Sequence, residues 1–197
     1  MPTKATYLAL GDSYTIGEGV DRKKTWPYLI AEKLGWNTPK VIAQTGWKTY
    51  ELIEAFENAS LDDHYDWVTL LIGVNNQYRD IDFEIFKRDL EELSVRINAR
   101  VKYPKQVVVL SIPDYSVTPF VEDKDRQKIA DELASYNRSK EAFASKHGYQ
   151  FCDIIRISQQ AATQPSLISE DNLHPSVEQY RLWASHILQQ CNFNKPS

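Results

Sequence analysis

Residues 67–72 read WVTLLI and residues 107–112 read VVVLSI, and these two runs decide the fold class. Both are apolar almost throughout, with no alternation of polar and apolar positions. Strands covered on both faces look like this, as they do in a parallel sheet packed between helices. Shorter runs of the same kind place further strands at 6–10, 40–43 and 149–153, and widen the second long run to 106–112.

Helical periodicity fills the intervals, at 25–34, 49–58, 83–101, 123–146 and 176–190. In the third of these, Phe86, Leu90, Leu93 and Ile97 recur at helical spacing. In the last, Val177, Tyr180, Trp183, Ala184 and Ile187 share one stripe. Thr25 stands where an N-cap belongs, and Gly35 and Gly148 where left-handed C-caps belong. Strand–helix alternation implies right-handed crossovers. The expectation is a three-layer α/β/α sandwich around a five-stranded, mostly parallel, doubly wound sheet. A length of 197 residues, without repeat, low-complexity stretch or linker, predicts a single domain over residues 1–197.

Composition narrows the function classes. Hydrophobic residues at 42% and charged residues at 25% are those of a soluble globular chain. The net charge is −4 and no segment gathers lysine and arginine into a stripe, which argues against nucleic acid as a partner. No apolar run approaches the roughly 20 residues of a transmembrane span. The opening MPTKATYLALGDS turns polar after a few apolar residues, too short for a secretory core. A cytoplasmic protein is therefore expected, although an exported form that has lost its signal would read the same. Cys152 and Cys191 are isolated along the chain and read as reduced thiols, not as a disulfide or metal site.

Four segments carry polar residues at the expected sheet edge. In LALGDSYTIGEGV (8–20) a strand runs through Gly11 and Asp12 into Ser13. A serine at a strand-to-helix turn can expose its hydroxyl and aim its own N–H at an oxyanion, although GxSxG itself is absent. The plainer reading is that Asp12 or Ser13 caps a short helix. In IAQTGWKTYEL (42–52), Gly46 offers an unobstructed N–H or merely makes a turn. In LLIGVNNQY (70–78), Asn75 and Asn76 follow a glycine; an amide there can donate to an oxyanion, or tolerate a left-handed turn. In SEDNLHPS (169–176), Asp171 and His174 are three apart, so one turn can bring the carboxylate to the near ring nitrogen. That leaves the far nitrogen free to take a proton; the alternative is a surface histidine with a chance acidic neighbour.

Together these blocks resemble the SGNH hydrolases, the GDSL esterase/lipase superfamily, from Leu8 to about Pro175. The first block reads GDSY where the family has GDSL. The resemblance implies a flavodoxin-like sheet order and Ser13 as nucleophile, with His174 as its base and Asp171 orienting that base. It implies an oxyanion hole made by the N–H of Ser13, the N–H of Gly46 and the side chain of Asn75. The third block, usually G-x-N-D, reads GVNN, so Asn76 replaces an aspartate and the support that carboxylate gives is in question. No metal or cofactor is expected.

Aromatic residues trail the motifs: Tyr14, Trp47 and Tyr78, then Tyr115 and Phe120. Those facing the crevice would bind substrate; the others pack the sheet edge. The expected substrates are small esters with a short acyl or acetyl group. The alternatives are a lysophospholipase or thioesterase, a carbohydrate O-acetylesterase, and a non-catalytic small-molecule-binding domain. Against the last, GDSYTIGEG fits neither GxGxxG nor GxxxxGKS.

Overall fold

The runs YLALG, WVTLL and VVVL are buried at every position, so they take the three interior places in the sheet. The computed structural model describes residues 4–194. Its five strands are β1 (Tyr7–Gly11), β2 (Lys40–Ala43), β3 (Trp67–Leu71), β4 (Val107–Leu110) and β5 (Gln150–Cys152). They lie in the order β2-β1-β3-β4-β5, and every neighbouring pair is parallel, so the sheet is fully and not just mostly so.

Eight helices accompany them: α1 (Ser13–Ile16), α2 (Trp26–Leu34), α3 (Thr49–Asn58), α4 (Val74–Tyr78), α5 (Phe83–Asn98), α6 (Arg126–His147), α7 (Ile155–Ser158) and α8 (Val177–Gln190). Right-handed crossovers put α2, with α8 packed on it, on one face and the contiguous row α3, α5, α6 on the other. Strand order reverses between β1 and β3. In doubly wound sheets ligands bind in the crevice outside the carboxyl ends at such a switch point.

α1 is the short helix that the capping reading of Asp12 anticipated, whereas α4 and α7, of five and four residues, are too short to show a period in the sequence. Other differences are local. Thr25 does precede α2, but its hydroxyl donates to the Arg22 carbonyl at 2.8 Å and caps nothing. The helix expected from 123 begins at Arg126, where Asp125 accepts the Lys128 N–H at 3.0 Å. The helix expected to reach 101 ends at Asn98, because the Arg100 carbonyl turns away to accept the Tyr65 N–H at 2.7 Å. Gly35 and Gly148 are left-handed C-caps as expected.

Cys152 and Cys191 are free and buried, but they are not isolated from each other: the Cys191 side chain faces the Cys152 thiol. That contact, with burial, pushes the Cys152 thiol up. Among the described residues, no helix is long and apolar enough to cross a membrane.

Candidate active site

The site begins where β1 ends. Gly11 is required by close approach: a Cβ there would overlap the Thr15 hydroxyl and the Leu71 carbonyl, because α1 folds back over the strand end. Asp12 caps α1, its Oδ1 accepting the Tyr14 N–H at 3.1 Å. The capping reading of this turn is therefore correct for Asp12, and it is what leaves Ser13 as the first helical residue. Among the described residues neither the Ser13 N–H nor its hydroxyl has a hydrogen-bond partner. The side chain lines a cleft shared with His174, and the Ser13–His174 hydrogen bond is not closed in this arrangement.

Asp171 and His174, expected as orienter and base, sit on a loop that closes on itself. Ile168 and Pro175 form an antiparallel bridge, the Ser169 N–H donates to the His174 carbonyl at 2.8 Å, and the Ser176 N–H to the Leu167 carbonyl at 2.9 Å. Asn172 takes a left-handed φ of 64°, which asparagine tolerates. The result places His174 Nδ1 2.6 Å from Asp171 Oδ2. The other oxygen, Oδ1, accepts from the Leu173 and His174 N–H groups at 2.9 Å each and from the Ser169 hydroxyl at 2.7 Å. Partial burial works against ionising Asp171, but these donors outweigh it and hold the carboxyl well below its usual range. A carboxylate on Nδ1 selects the tautomer whose Nε2 can accept a proton.

Two further loops bring donors to the same edge. Gly46 lies in the β2–α3 loop with φ +83°, a conformation suited to glycine, and its N–H is unpaired among the described residues. Asn75 is the second residue of α4, and one of its amide hydrogens donates to the Trp47 carbonyl at 3.1 Å. That bond fixes the amide plane and leaves the second N–H for the cleft.

The structure explains the asparagine in place of the family's aspartate. Fully buried, Asn76 accepts the Thr49 N–H at 3.0 Å and donates to the Thr49 hydroxyl at 2.8 Å. The hydroxyl passes its own hydrogen to Asp89 Oδ2 at 2.6 Å. A carboxylate is present after all, moved one link outward onto α5, and the amide supplies both the acceptor and the donor that Thr49 needs.

The cleft has a volume of about 160 Å³ and is lined by Ser13, Gly46, Asn75 and His174. Tyr14 and Tyr78 line it as well, with Tyr115 and Phe120 beyond them. Trp47 does not: its ring packs against the core, and what it contributes is the carbonyl that holds Asn75. Thr45, Val74, Arg79 and Leu173 also line the cleft and were not singled out in the sequence; each is a neighbour of a motif residue, which is the signal that could have found them. The Phe120 wall is tied to the acid–base loop, since the Phe120 N–H donates to the Asn172 carbonyl at 3.1 Å. Among the described residues, no group of three or more His, Cys, Asp or Glu side chains could hold a metal ion.

A parallel doubly wound sheet with serine, glycine, asparagine and histidine blocks gathered at its switch point is the arrangement of the SGNH hydrolases. The chain belongs to the GDSL-like lipase/acylhydrolase family, whose profile matches residues 9–182. It is 25% identical over 134 residues to an acetylxylan esterase from Geobacillus stearothermophilus. That match takes in 65% of this chain and spans 60% of the length of the relative. Among solved structures, a member of the lipolytic G-D-S-L family from Veillonella parvula superposes with a TM-score of 0.73 at 17% identity, covering 93% of this chain and 96% of that one. A variant of an acetyl xylan esterase from Geobacillus stearothermophilus gives 0.72 at 17% identity, covering 99% and 98%. At these identities the structural likeness speaks for the fold.

Proposed function

We propose that this chain is a carboxylic ester hydrolase that cleaves small esters through an acyl-enzyme on Ser13. The observation that carries the reading is the 2.6 Å Asp171–His174 contact opening onto the cleft that Ser13, Gly46 and Asn75 also line. In the first step Ser13 Oγ attacks the ester carbonyl carbon while His174 Nε2 takes the hydroxyl proton. The carbonyl electrons move to oxygen, where the Ser13 N–H, the Gly46 N–H and the free Asn75 amide hydrogen receive them. Collapse expels the alcohol, protonated by His174, and water repeats the sequence on the acyl-serine. Asp171 stays ionised and stabilises the imidazolium formed in each half.

The size of the cleft favours a short acyl group: about 160 Å³ is small beside the roughly 300–1,000 Å³ of sites for drug-sized ligands. Val74, Tyr115 and Leu173 supply apolar surface for an acetyl or short-chain acyl group. The similarity to an acetylxylan esterase favours an acetyl ester of a carbohydrate as a second reading within the same chemistry. A net charge of −4 suits a small-molecule partner better than nucleic acid, and the two buried free thiols suit a reducing, cytoplasmic setting.

The test is a series of p-nitrophenyl esters of increasing acyl length, run beside acetylated sugars, with Ser13→Ala as control. Activity should peak at short acyl groups and vanish in the variant, and a fluorophosphonate should label Ser13. A fully active Ser13→Ala protein defeats the proposal.

A further inference from the structure

Behind the cleft lie two buried ionisable groups, within electrostatic reach of each other, that the reaction as described does not use. Lys140 of α6 is fully buried, and Asp12 is 1% exposed. Among the described residues the Lys140 ammonium finds one hydrogen-bond acceptor, the Ile72 carbonyl, at 2.8 Å. The Asp12 carboxylate accepts the Tyr14 N–H at 3.1 Å and also faces the Gly73 N–H, whose attraction favours its charged form. The Ile72 carbonyl and the Gly73 N–H belong to one peptide group. That peptide is trans, so they point in opposite directions. A single peptide dipole is thus clasped end to end, its oxygen toward an ammonium and its hydrogen toward a carboxylate.

That peptide stands between the two halves of the oxyanion site. On one side Asp12 caps α1, whose first residue is Ser13. On the other Gly73 is the N-cap of α4, which carries Asn75. Gly73 has a φ of +123°, and a Cβ there would press into Phe86, so the peptide is held in an orientation other residues rarely adopt. The next polar residue on the buried stripe of α6, Asn137, grips the segment just beyond β4 in a parallel way, accepting the Ile112 N–H at 2.7 Å and donating to the Ile112 carbonyl at 3.0 Å.

We propose that Lys140 is a positioning residue: with Asp12 it clamps the Ile72–Gly73 peptide and so fixes the spacing between Ser13 and Asn75. Burial pushes the Asp12 carboxyl up and the Lys140 ammonium down, and each charge partly offsets the shift of the other. Tyr14 and Tyr180, whose hydroxyls feel the Asp12 charge, are the other titratable groups facing the carboxylate, and burial pushes both phenols up. Losing the ammonium leaves a buried carboxylate without a counter-charge, which loosens its hold on Gly73 and on the start of α1.

The inference rests on the ester-hydrolase reading, and the experiment separates the two. A wild type inactive on every ester defeats that reading; an active wild type that fails the following cycle defeats this inference alone. Wild type, Lys140→Met, Asn75→Ala and the double variant are compared by kcat and KM on p-nitrophenyl acetate. A misplaced donor should cost Lys140→Met about tenfold or more in kcat with little change in KM. In the Asn75→Ala background the same substitution should cost much less, because the spacing it protects no longer matters. Equal losses in both backgrounds, or an unchanged kcat, overturn the inference. If the methionine variant does not fold, Lys140→Gln enters the same cycle. The wild type supplies a reading free of variants: the Gly73 amide should be strongly protected from hydrogen exchange, and rapid exchange there overturns the clamp.

Discussion

His174 offers its ring Nδ1 and its backbone N–H to the two oxygens of one carboxylate, at 2.6 Å from Asp171 Oδ2 and 2.9 Å from Oδ1. Asp171 therefore sets both the tautomer of the base and the path of the chain that carries it. Asp171→Asn keeps an oxygen for the turn but offers the ring no charge to stabilise the imidazolium. Its kcat on p-nitrophenyl acetate should fall on the order of 10³–10⁴-fold. The far-ultraviolet circular dichroism should be unchanged.

The same carboxylate makes stability depend on acid. Its folded-state pKa is depressed, so the stabilisation is complete above the unfolded value near ~3.9 and is lost as pH falls through the folded one. The side chain is 39% exposed, so solvent screens the effect and keeps it modest. Urea unfolding midpoints between about pH 5 and pH 2 should decline more steeply for wild type than for Asp171→Asn, by a margin this one carboxyl accounts for.

Asn75 and Asn76 are neighbours with separable jobs. Asn75→Ala removes an oxyanion donor and should lower kcat about 10²–10³-fold with a small change in KM. Asn76→Leu touches no reacting atom but orphans the buried Thr49 N–H and removes the donor to the Thr49 hydroxyl, which keeps only its bond to Asp89. It should cost about 1–3 kcal/mol for each group left unpaired, measured by chemical denaturation. Asn76→Asp should also destabilise, since the Thr49 hydroxyl would then face two carboxylates with one hydrogen to give.

Chain-length preference should yield to the outer wall of the cleft. The Phe120 ring lies against Tyr78, centroids 5.9 Å apart, and Tyr78 meets Tyr115 edge-on at 6.4 Å. Phe120→Ala opens that wall without touching the Asp171–His174 contact. Relative kcat/KM across an acyl series should move toward longer groups, by about tenfold or more per step, as the ~1–3 kcal/mol per methylene of such pockets allows. An unchanged profile would place the acyl group elsewhere.

What could be read without coordinates followed from the strength of each local signal. The apolar runs that became β1, β3 and β4 announce strands because nothing polar is tolerated on either face. Ser13, Gly46, Asn75, Asp171 and His174 were legible as ordered blocks, and the structure brings the loops bearing them to one edge. That the Trp47 ring packs against the core and not in the cleft was not legible, because adjacency to a motif says nothing about which way a ring points. The pairing of Cys152 with Cys191 depends on β5 meeting the end of α8, a contact between elements that no local pattern encodes. Lys140 left a trace that could have been followed: it falls in step with Ile129, Leu133, Tyr136 and Phe143, a cation on a stripe that is otherwise buried.

The bridge between Ile168 and Pro175 has a kinetic corollary. Because the intervening residues are laced to one another, any displacement of that segment carries carboxylate and imidazole as one piece. Their mutual alignment is then insulated from the sheet, and the single coordinate left to vary is the reach from imidazole to hydroxyl. On the proposed mechanism, substitutions at its two feet, Leu167 and Ser176, should therefore change kcat while the Asp171–His174 contact stays intact.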